Sequence, residues 1–184
     1  VLNGTTTYIL SQIERGARFD DALRQAQLAG YAEADATADL SGRDAAAKLA
    51  ILATLAWRRP YTIDDVSTRG IDAAIVETVQ FAATHGAHVR LVAHAREEHG
   101  VSLTVEPRIL TAADRLAQSE GVTNVVEVRS AFAGPLTWFG AGAGGTHTAS
   151  ALLGDLLVAA RALTGAPNAS HASTTSTTGA RSAA

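Results

Sequence analysis

The single lysine of this 184-residue chain, Lys48, follows a segment that is rich in acidic residues. Asp44 precedes it by about one turn of a predicted helix, so the two side chains face the same side. Glu33 and Asp39 lie in the segment before that helix. Carboxylates suit a ligand ammonium, and a lysine amine beside a carboxylate is suited to proton transfer. This pattern therefore indicates a site for a small cationic or zwitterionic molecule.

The same residues also allow a purely structural interpretation. Asp44 and Lys48 can form a surface ion pair worth about 0.3–0.5 kcal/mol, and the other acids can simply solvate a loop. Against this, Lys48 lies between Ala47 and Leu49 in a stretch of alanine, leucine and isoleucine, where a solvated helix usually carries more charges. The residues alone leave both interpretations open.

Apolar periodicity predicts the elements that must position this segment. Helical spacing is found in five segments, at 5–15, 20–30, 44–57, 70–85 and 148–163, and a loop is predicted at 31–41. Ser41 and Asp44 have the spacing of a capping box at the start of the third helix. Four strands are expected, at 88–93, 101–105, 124–128 and 136–139. Pro107 is expected to close the second strand, and Gly134-Pro135 to form the turn between the last two.

Helices that come first, followed by strands grouped together, predict an α+β fold. We expect the helices to pack on one face of a mixed, largely antiparallel sheet. Residues 1–163 are predicted to form one domain, and the Ser/Thr/Ala-rich segment 164–184 is predicted to be a disordered tail. The sequence contains no methionine, even at position 1, so we expect a segment of a longer protein.

Composition excludes several classes of function. The hydrophobic fraction of 47% is enough for a core, and the net charge of −3 gives no basic footprint for nucleic acid. The lack of cysteine excludes disulfides and thiolate metal sites. No apolar run approaches the roughly 18 residues of a membrane span, and the first residues lack a signal pattern. A cytoplasmic protein without nucleic-acid or membrane partners is expected.

Two further motifs are weak by themselves. Gly140, Gly142 and Gly145 fit G-x-G-x-x-G, but a dinucleotide fingerprint opens a βαβ unit and is followed by an acid about 20 residues later. Here one helix and the tail follow, so the loop is not a dinucleotide fingerprint, and a plain tight turn remains one interpretation. His85 and His88 form an H-x-x-H pair, which is insufficient to predict a metal site, and none is expected.

Several segments together resemble the homoserine dehydrogenase family in residues, order and spacing, over roughly residues 1–162. They are LNGTTTYIL (2–10), AQLAGYAEAD (26–35), ADLSGRD (38–44), KLAILA (48–53), GI (70–71), HVRLVA (88–93), GAGAGG (140–145), TASA (148–151) and Asp155. The resemblance implies NAD(P)-dependent interconversion of homoserine and aspartate semialdehyde, on the route to threonine, methionine and isoleucine. It also implies that Lys48 transfers the proton of the reacting hydroxyl and that Asp44 orients the lysine.

The resemblance assigns the other site residues as well. It implies that Glu33 binds the substrate, that Asp39 helps to hold its amino group, and that the same pocket is lined by Thr5 and Tyr31. Gly142 and Gly144 are expected to touch the cofactor.

The resemblance implies that NAD(P) is held mainly by a domain absent from this chain. The chain is therefore expected to be inactive alone. It is also expected to form a homodimer through its sheet. The alternative is a non-catalytic dimerisation or amino-acid-sensing module derived from the family. Retention of Lys48 and Asp44 favours the enzyme.

Overall fold

The computed structural model describes residues 1–142 and 144–164. Six helices lie in these ranges: α1 (Gly4–Glu14), α2 (Phe19–Leu28), α3 (Thr37–Leu40), α4 (Arg43–Trp57), α5 (Ile75–Thr84) and α6 (Gly145–Thr164). The same ranges contain five strands: β1 (Ser67–Thr68), β2 (Ala87–Glu97), β3 (Val101–Thr111), β4 (Thr123–Ser130) and β5 (Gly134–Ala141). Short 3₁₀ helices lie at Ile63–Asp65 and Arg115–Gln118. No helix within the described ranges is long and apolar enough to cross a membrane.

The strands form two sheets. In the first, ordered β1-β3-β2, β2 and β3 are antiparallel from Ala87↔Thr111 to Glu97↔Val101, and β1 runs parallel to β3. In the second, β4 and β5 form an antiparallel hairpin. The prediction of an α+β fold with mixed, largely antiparallel strands is confirmed, but it did not divide the strands between two sheets.

Helices α1, α2, α4 and α5 pack on one face of the first sheet, the face to which alternate residues of its strands point. Val89 and Leu91 of β2 join Leu103 and Val105 of β3 in a buried cluster with apolar side chains of α1, α2, α4 and α5. The opposite face has a smaller cluster, formed by Val92 and Leu110 with Val1 and Ala117. The period of two along each strand therefore sends the larger apolar set toward the helices.

The segment between α2 and α4 differs from its prediction as a simple loop. Residues Thr37–Leu40 form the single turn α3. The capping box from Ser41 is wrong, because Gly42 is the N-cap of α4, with φ of +82°, and makes no side-chain cap. The Ser41 hydroxyl donates instead to the carbonyl of Ala38, at 3.4 Å. A tight turn between two helices, which needs a left-handed residue, has replaced the cap.

Two element boundaries were also predicted wrongly. Helix α5 begins at Ile75 rather than at residue 70, because the Ile71 amide donates to the Leu40 carbonyl and keeps this segment out of the helix. Strand β3 continues through Pro107 to Thr111. Because β1 pairs only with Thr104 and Val105, β3 has one neighbour at Pro107, and proline is tolerated at such an open edge.

The turn of the last hairpin is shifted as well. Gly134 and Pro135 are the first residues of β5 and pair with Ser130 and Arg129, so the turn lies at 131–133. Residues Val1–His147 form one compact unit, and a second begins at Thr148, of which the described part is the rest of α6. The tail predicted to be disordered, residues 164–184, lies outside the described ranges from residue 165 onward.

Candidate active site

The N-terminus of α1 brings the predicted site residues together through Asn3. This residue is the N-cap, and its Oδ1 accepts a hydrogen bond from the Thr6 amide at 2.8 Å. Its Nδ2 donates to Asp39 Oδ1 at 2.6 Å and to Asp44 Oδ2 at 2.8 Å. Only 4% of Asn3 is exposed. Two carboxylates from α3 and α4 therefore meet at one buried amide.

Asp44 and Lys48 form the expected ion pair across one turn of α4. Lys48 Nζ lies 2.6 Å from Asp44 Oδ2 and also donates to the Leu2 carbonyl at 3.1 Å. The side chains are 41% and 31% exposed, respectively. An ammonium has three donors, so these two bonds leave one N–H for a ligand on the accessible side. The contact to Leu2 distinguishes this pair from an isolated surface ion pair.

Thr5 and Tyr31 link the acid-rich segment to α1. The Thr5 hydroxyl donates to the backbone carbonyl of Tyr31 at 2.7 Å. The Tyr31 ring packs against Tyr8 with ring centroids 5.2 Å apart. Gln27 supports the segment from α2, donating to the carbonyls of Glu33 and Ala34 at 3.3 and 3.1 Å. These contacts fix the backbone that carries Glu33.

The acids of this segment have different surroundings. Glu33 is exposed, and its carboxylate makes no hydrogen bond or ion pair with any residue that the structure describes. The structure therefore does not bring Glu33 into the cluster around Asn3. Asp35 has a local partner, because its Oδ1 accepts a hydrogen bond from the Thr37 amide at 3.0 Å, and hydrogen bonds from the side chain and backbone of Thr37 lower the pKa of this carboxyl. Of the predicted acids, Asp39 and Asp44 are the two that meet.

The glycine-rich loop approaches the start of α1 through Val122. The Gly142 amide donates to the Val122 carbonyl at 2.8 Å, and Gly142 lies so close to the Asn124 side chain that a Cβ would clash. A Cβ on Gly4 would lie 3.1 Å from the same Val122 carbonyl. Gly144 has φ of +112°, which favours glycine. The loop and the Asn3 segment therefore pack against a common residue.

No set of three or more histidine or acidic side chains in residues 1–142 and 144–164 is arranged to hold a metal ion. The two histidines of the H-x-x-H pair have different partners. His85 Nδ1 contacts the Phe81 carbonyl at 2.9 Å, whereas His88 Nδ1 lies 3.3 Å from Glu14.

Asn3 is the site residue that sequence reasoning missed. Its position before Gly-Thr-Thr is typical of an N-cap, and that signal was available. Asp39 and Asp44 follow Asn3 by 36 and 41 positions along the chain, and no local sequence pattern predicts contacts over such separations.

Comparison with known proteins identifies the family. The family model described as homoserine dehydrogenase matches residues 1–157. A homoserine dehydrogenase from Mycobacterium leprae is 43% identical over 88% of this chain and 38% of its own length. A protein from Pseudomonas canavaninivorans named NAD(+)-dependent homoserine dehydrogenase is 40% identical over 85% of this chain and 45% of its own.

Solved structures agree in fold. The crystal structure of a homoserine dehydrogenase from Thiobacillus denitrificans superposes with a TM-score of 0.82 at 40% identity, over 90% of this chain and 39% of that one. A hyperthermophilic archaeal homoserine dehydrogenase mutant in complex with NADPH gives a TM-score of 0.66 at 31% identity, over 92% and 47%. The chain thus spans about two fifths of the length of the relatives it matches, and it belongs to the homoserine dehydrogenase family.

Proposed function

We propose that this chain is the substrate-binding, proton-transferring part of an enzyme that interconverts L-homoserine and L-aspartate 4-semialdehyde with NAD(P). The observation that carries the proposal is the cluster in which Asp39, Asp44 and Lys48 meet at the start of α1. A chain that served only as a dimerisation or amino-acid-sensing module has no need of a half-exposed lysine held by a carboxylate and a backbone carbonyl.

Each residue has a role that its surroundings support. The second carboxylate oxygen of Asp39 has no partner among the described side chains, and with the exposed Glu33 it provides negative charge for the substrate ammonium. Thr5 and Tyr31, which are joined by the hydrogen bond from the Thr5 hydroxyl to the Tyr31 carbonyl, are assigned to the lining of the same pocket. For oxidation, Lys48 first releases one proton of its ammonium to solvent, and the neutral amine then accepts the proton of the substrate hydroxyl, directly or through water. In the reverse direction the ammonium returns a proton to the aldehyde oxygen. Asp44 holds the lysine in position.

A bound nicotinamide would accept the hydride that leaves the carbinol carbon of homoserine. The glycine loop fits a contact with this cofactor, because Gly140 and Gly145 have open space where a Cβ would stand. We assign to that edge Gly142 and Gly144, which lie between these two glycines in the chain. The described residues offer no acid beyond a following strand to bind a ribose, so the main dinucleotide site is proposed to lie outside residues 1–184.

The proposal extends to assembly and location. A homodimer through the first sheet would cover the face opposite the helices. Because NAD(P) and free amino acids are intracellular, the enzyme is assigned to the cytoplasm, on the route to threonine, methionine and isoleucine. Sedimentation or light scattering of the purified protein measures the dimer.

The function is tested with the full-length protein that carries this chain. Homoserine-dependent reduction of NAD⁺ or NADP⁺, followed by absorbance, is expected with turnover on the order of 1–10³ per second. L-Serine and L-threonine serve as control alcohols and should be poor substrates. Residues 1–184 alone should give no turnover. Absence of homoserine oxidation by the full-length protein would contradict the proposal, and normal turnover by the chain alone would contradict the placement of the dinucleotide site.

A further inference from the structure

We infer that Asn3 is a positioning residue that couples substrate binding to proton transfer, by fixing Asp39 relative to Asp44. This inference rests on the proposed function and adds to it a residue that contacts neither the substrate hydroxyl nor the lysine. The amide reaches the acid assigned to the substrate ammonium and the acid that holds Lys48, at 2.6 and 2.8 Å.

The orientation of the Asn3 amide follows from its partners. Its oxygen must face the Thr6 amide, which is a donor, and its nitrogen must face the two carboxylates, which are acceptors. The flipped amide would place an oxygen against both carboxylates and lose three hydrogen bonds. Both N–H donors and the carbonyl are used, so the side chain of this residue, which is only 4% exposed, has all its polar groups satisfied.

Asparagine suits this position because its donors are neutral. Two carboxylates that converge on one point repel each other unless donors lie between them. A lysine or arginine there would neutralise the negative charge that the substrate ammonium and Lys48 require, whereas the amide joins Asp39 to Asp44 and preserves both charges. The N-cap also anchors the amide to α1, whose first residues are buried. The distance between the two acids is thereby tied to a rigid helix.

Helix capping alone gives a competing explanation, and it can be separated by experiment. Serine and aspartate cap helices about as well as asparagine. Asn3→Ser and Asn3→Asp therefore keep the cap, while the first removes the bridge and the second places a third carboxylate beside Asp39 and Asp44. If Asn3 only caps α1, both variants should behave like the wild type. If it bridges the acids, both should lose activity, and Asn3→Asp should lose more.

The kinetic signature follows from the two contacts. In the full-length protein, Asn3→Ser is expected to lower kcat/KM for homoserine roughly tenfold to hundredfold, with both a higher KM and a lower kcat. In an Asp39→Asn background the same change should lower kcat with little further effect on KM. In an Asp44→Asn background it should raise KM with little further effect on kcat. Couplings of this kind are what double-mutant cycles measure.

Wild-type homoserine oxidation is measured first, and circular dichroism with thermal melting confirms that each variant folds. Asp114→Ser, which alters the N-cap of the 3₁₀ helix Arg115–Gln118, is the control and should keep wild-type kinetics. An inactive wild type counts against the proposed function and against this inference with it. An active wild type whose Asn3→Ser and Asn3→Asp variants keep normal kcat and KM overturns the role of Asn3 alone.

Discussion

At the scale of single residues, the site depends on how many bonds each charged group already makes. Lys48 uses two of its three donors on Asp44 and Leu2, and Asp39 uses one oxygen on Asn3. Each group is held in position and still has capacity for a ligand. Glu33 differs, since only its backbone is held, by Gln27, and its carboxylate is exposed. A substrate ammonium would therefore order Glu33 on binding, whereas Asp39 is ordered beforehand.

Glu33→Gln tests this difference. The variant keeps the shape of the side chain and removes its charge, so it should raise KM for homoserine roughly tenfold with little change in kcat. Steady-state kinetics of the full-length protein give both constants.

Asp35→Asn is the matched control. It removes a carboxylate from the same segment, but this carboxylate is hydrogen-bonded to Thr37. Its KM should stay near that of the wild type. An equal rise in KM for both variants would show that the segment attracts the substrate only through its total charge.

Part of this site, the contact between Asp44 and Lys48, could be predicted from the sequence. The spacing of four residues predicted the contact between Asp44 and Lys48, and the structure contains it. It did not predict that Asp39 and Asp44 share an amide donor, because that contact depends on how α1 packs against α3 and α4. The burial of Arg90, which is 1% exposed within β2, was also unforeseen, since arginine is rarely buried without a partner from elsewhere in the fold.

At the scale of elements, the turn from α3 to α4 is held by the segment before α5. The Ile71 amide donates to the Leu40 carbonyl at 2.7 Å. Gly70 lies so close to Leu40 and Ser41 that a Cβ would overlap backbone atoms. This contact supports the turn that presents Asp39 and Asp44. Apolar periodicity placed the segment in a helix, because it registers Ile71 as apolar but not the close backbone approach.

Gly70→Ala should therefore destabilise the fold by about 1–3 kcal/mol or more, because neither contacting backbone can move without displacing α3. Urea denaturation of the full-length protein measures the change in the free energy of unfolding.

Gly154→Ala is the control. Gly154 lies inside α6 with open space at its Cβ, so this change should be neutral or stabilising by up to about 1 kcal/mol. Equal stability of Gly70→Ala and wild type would mean that the close approach does not hold the turn.

At the scale of the whole molecule, Arg90 connects α1 to the segment before the β4–β5 hairpin. Its guanidinium pairs with Glu14 at 2.7 Å and donates to the carbonyls of Ser119 and Ala117 at 2.9 and 3.2 Å. Glu14 also accepts from the Val89 amide at 3.1 Å. The end of α1 is thus fixed to β2, while its start carries the candidate site.

Breaking this ion pair should cost much more than breaking an exposed one. Glu14→Gln leaves the Arg90 charge buried without its carboxylate partner, and a loss of about 3–5 kcal/mol in the free energy of unfolding is expected. Asp21→Asn breaks the exposed pair with Arg24 on α2 and should cost less than about 1 kcal/mol. Denaturant titrations compare the two variants, and a small effect of Glu14→Gln would show that Arg90 is satisfied by its carbonyl partners.

In the proposed function, Lys48 is the group that moves the proton of the substrate hydroxyl. Lys48→Ala in the full-length protein tests this role, with homoserine binding measured by calorimetry and turnover by NAD(P)H absorbance. This role requires that the variant still folds and keeps its affinity for homoserine within a few fold, while kcat falls by about 10²–10⁴. A variant that folds, binds homoserine and keeps a near-normal kcat would contradict it.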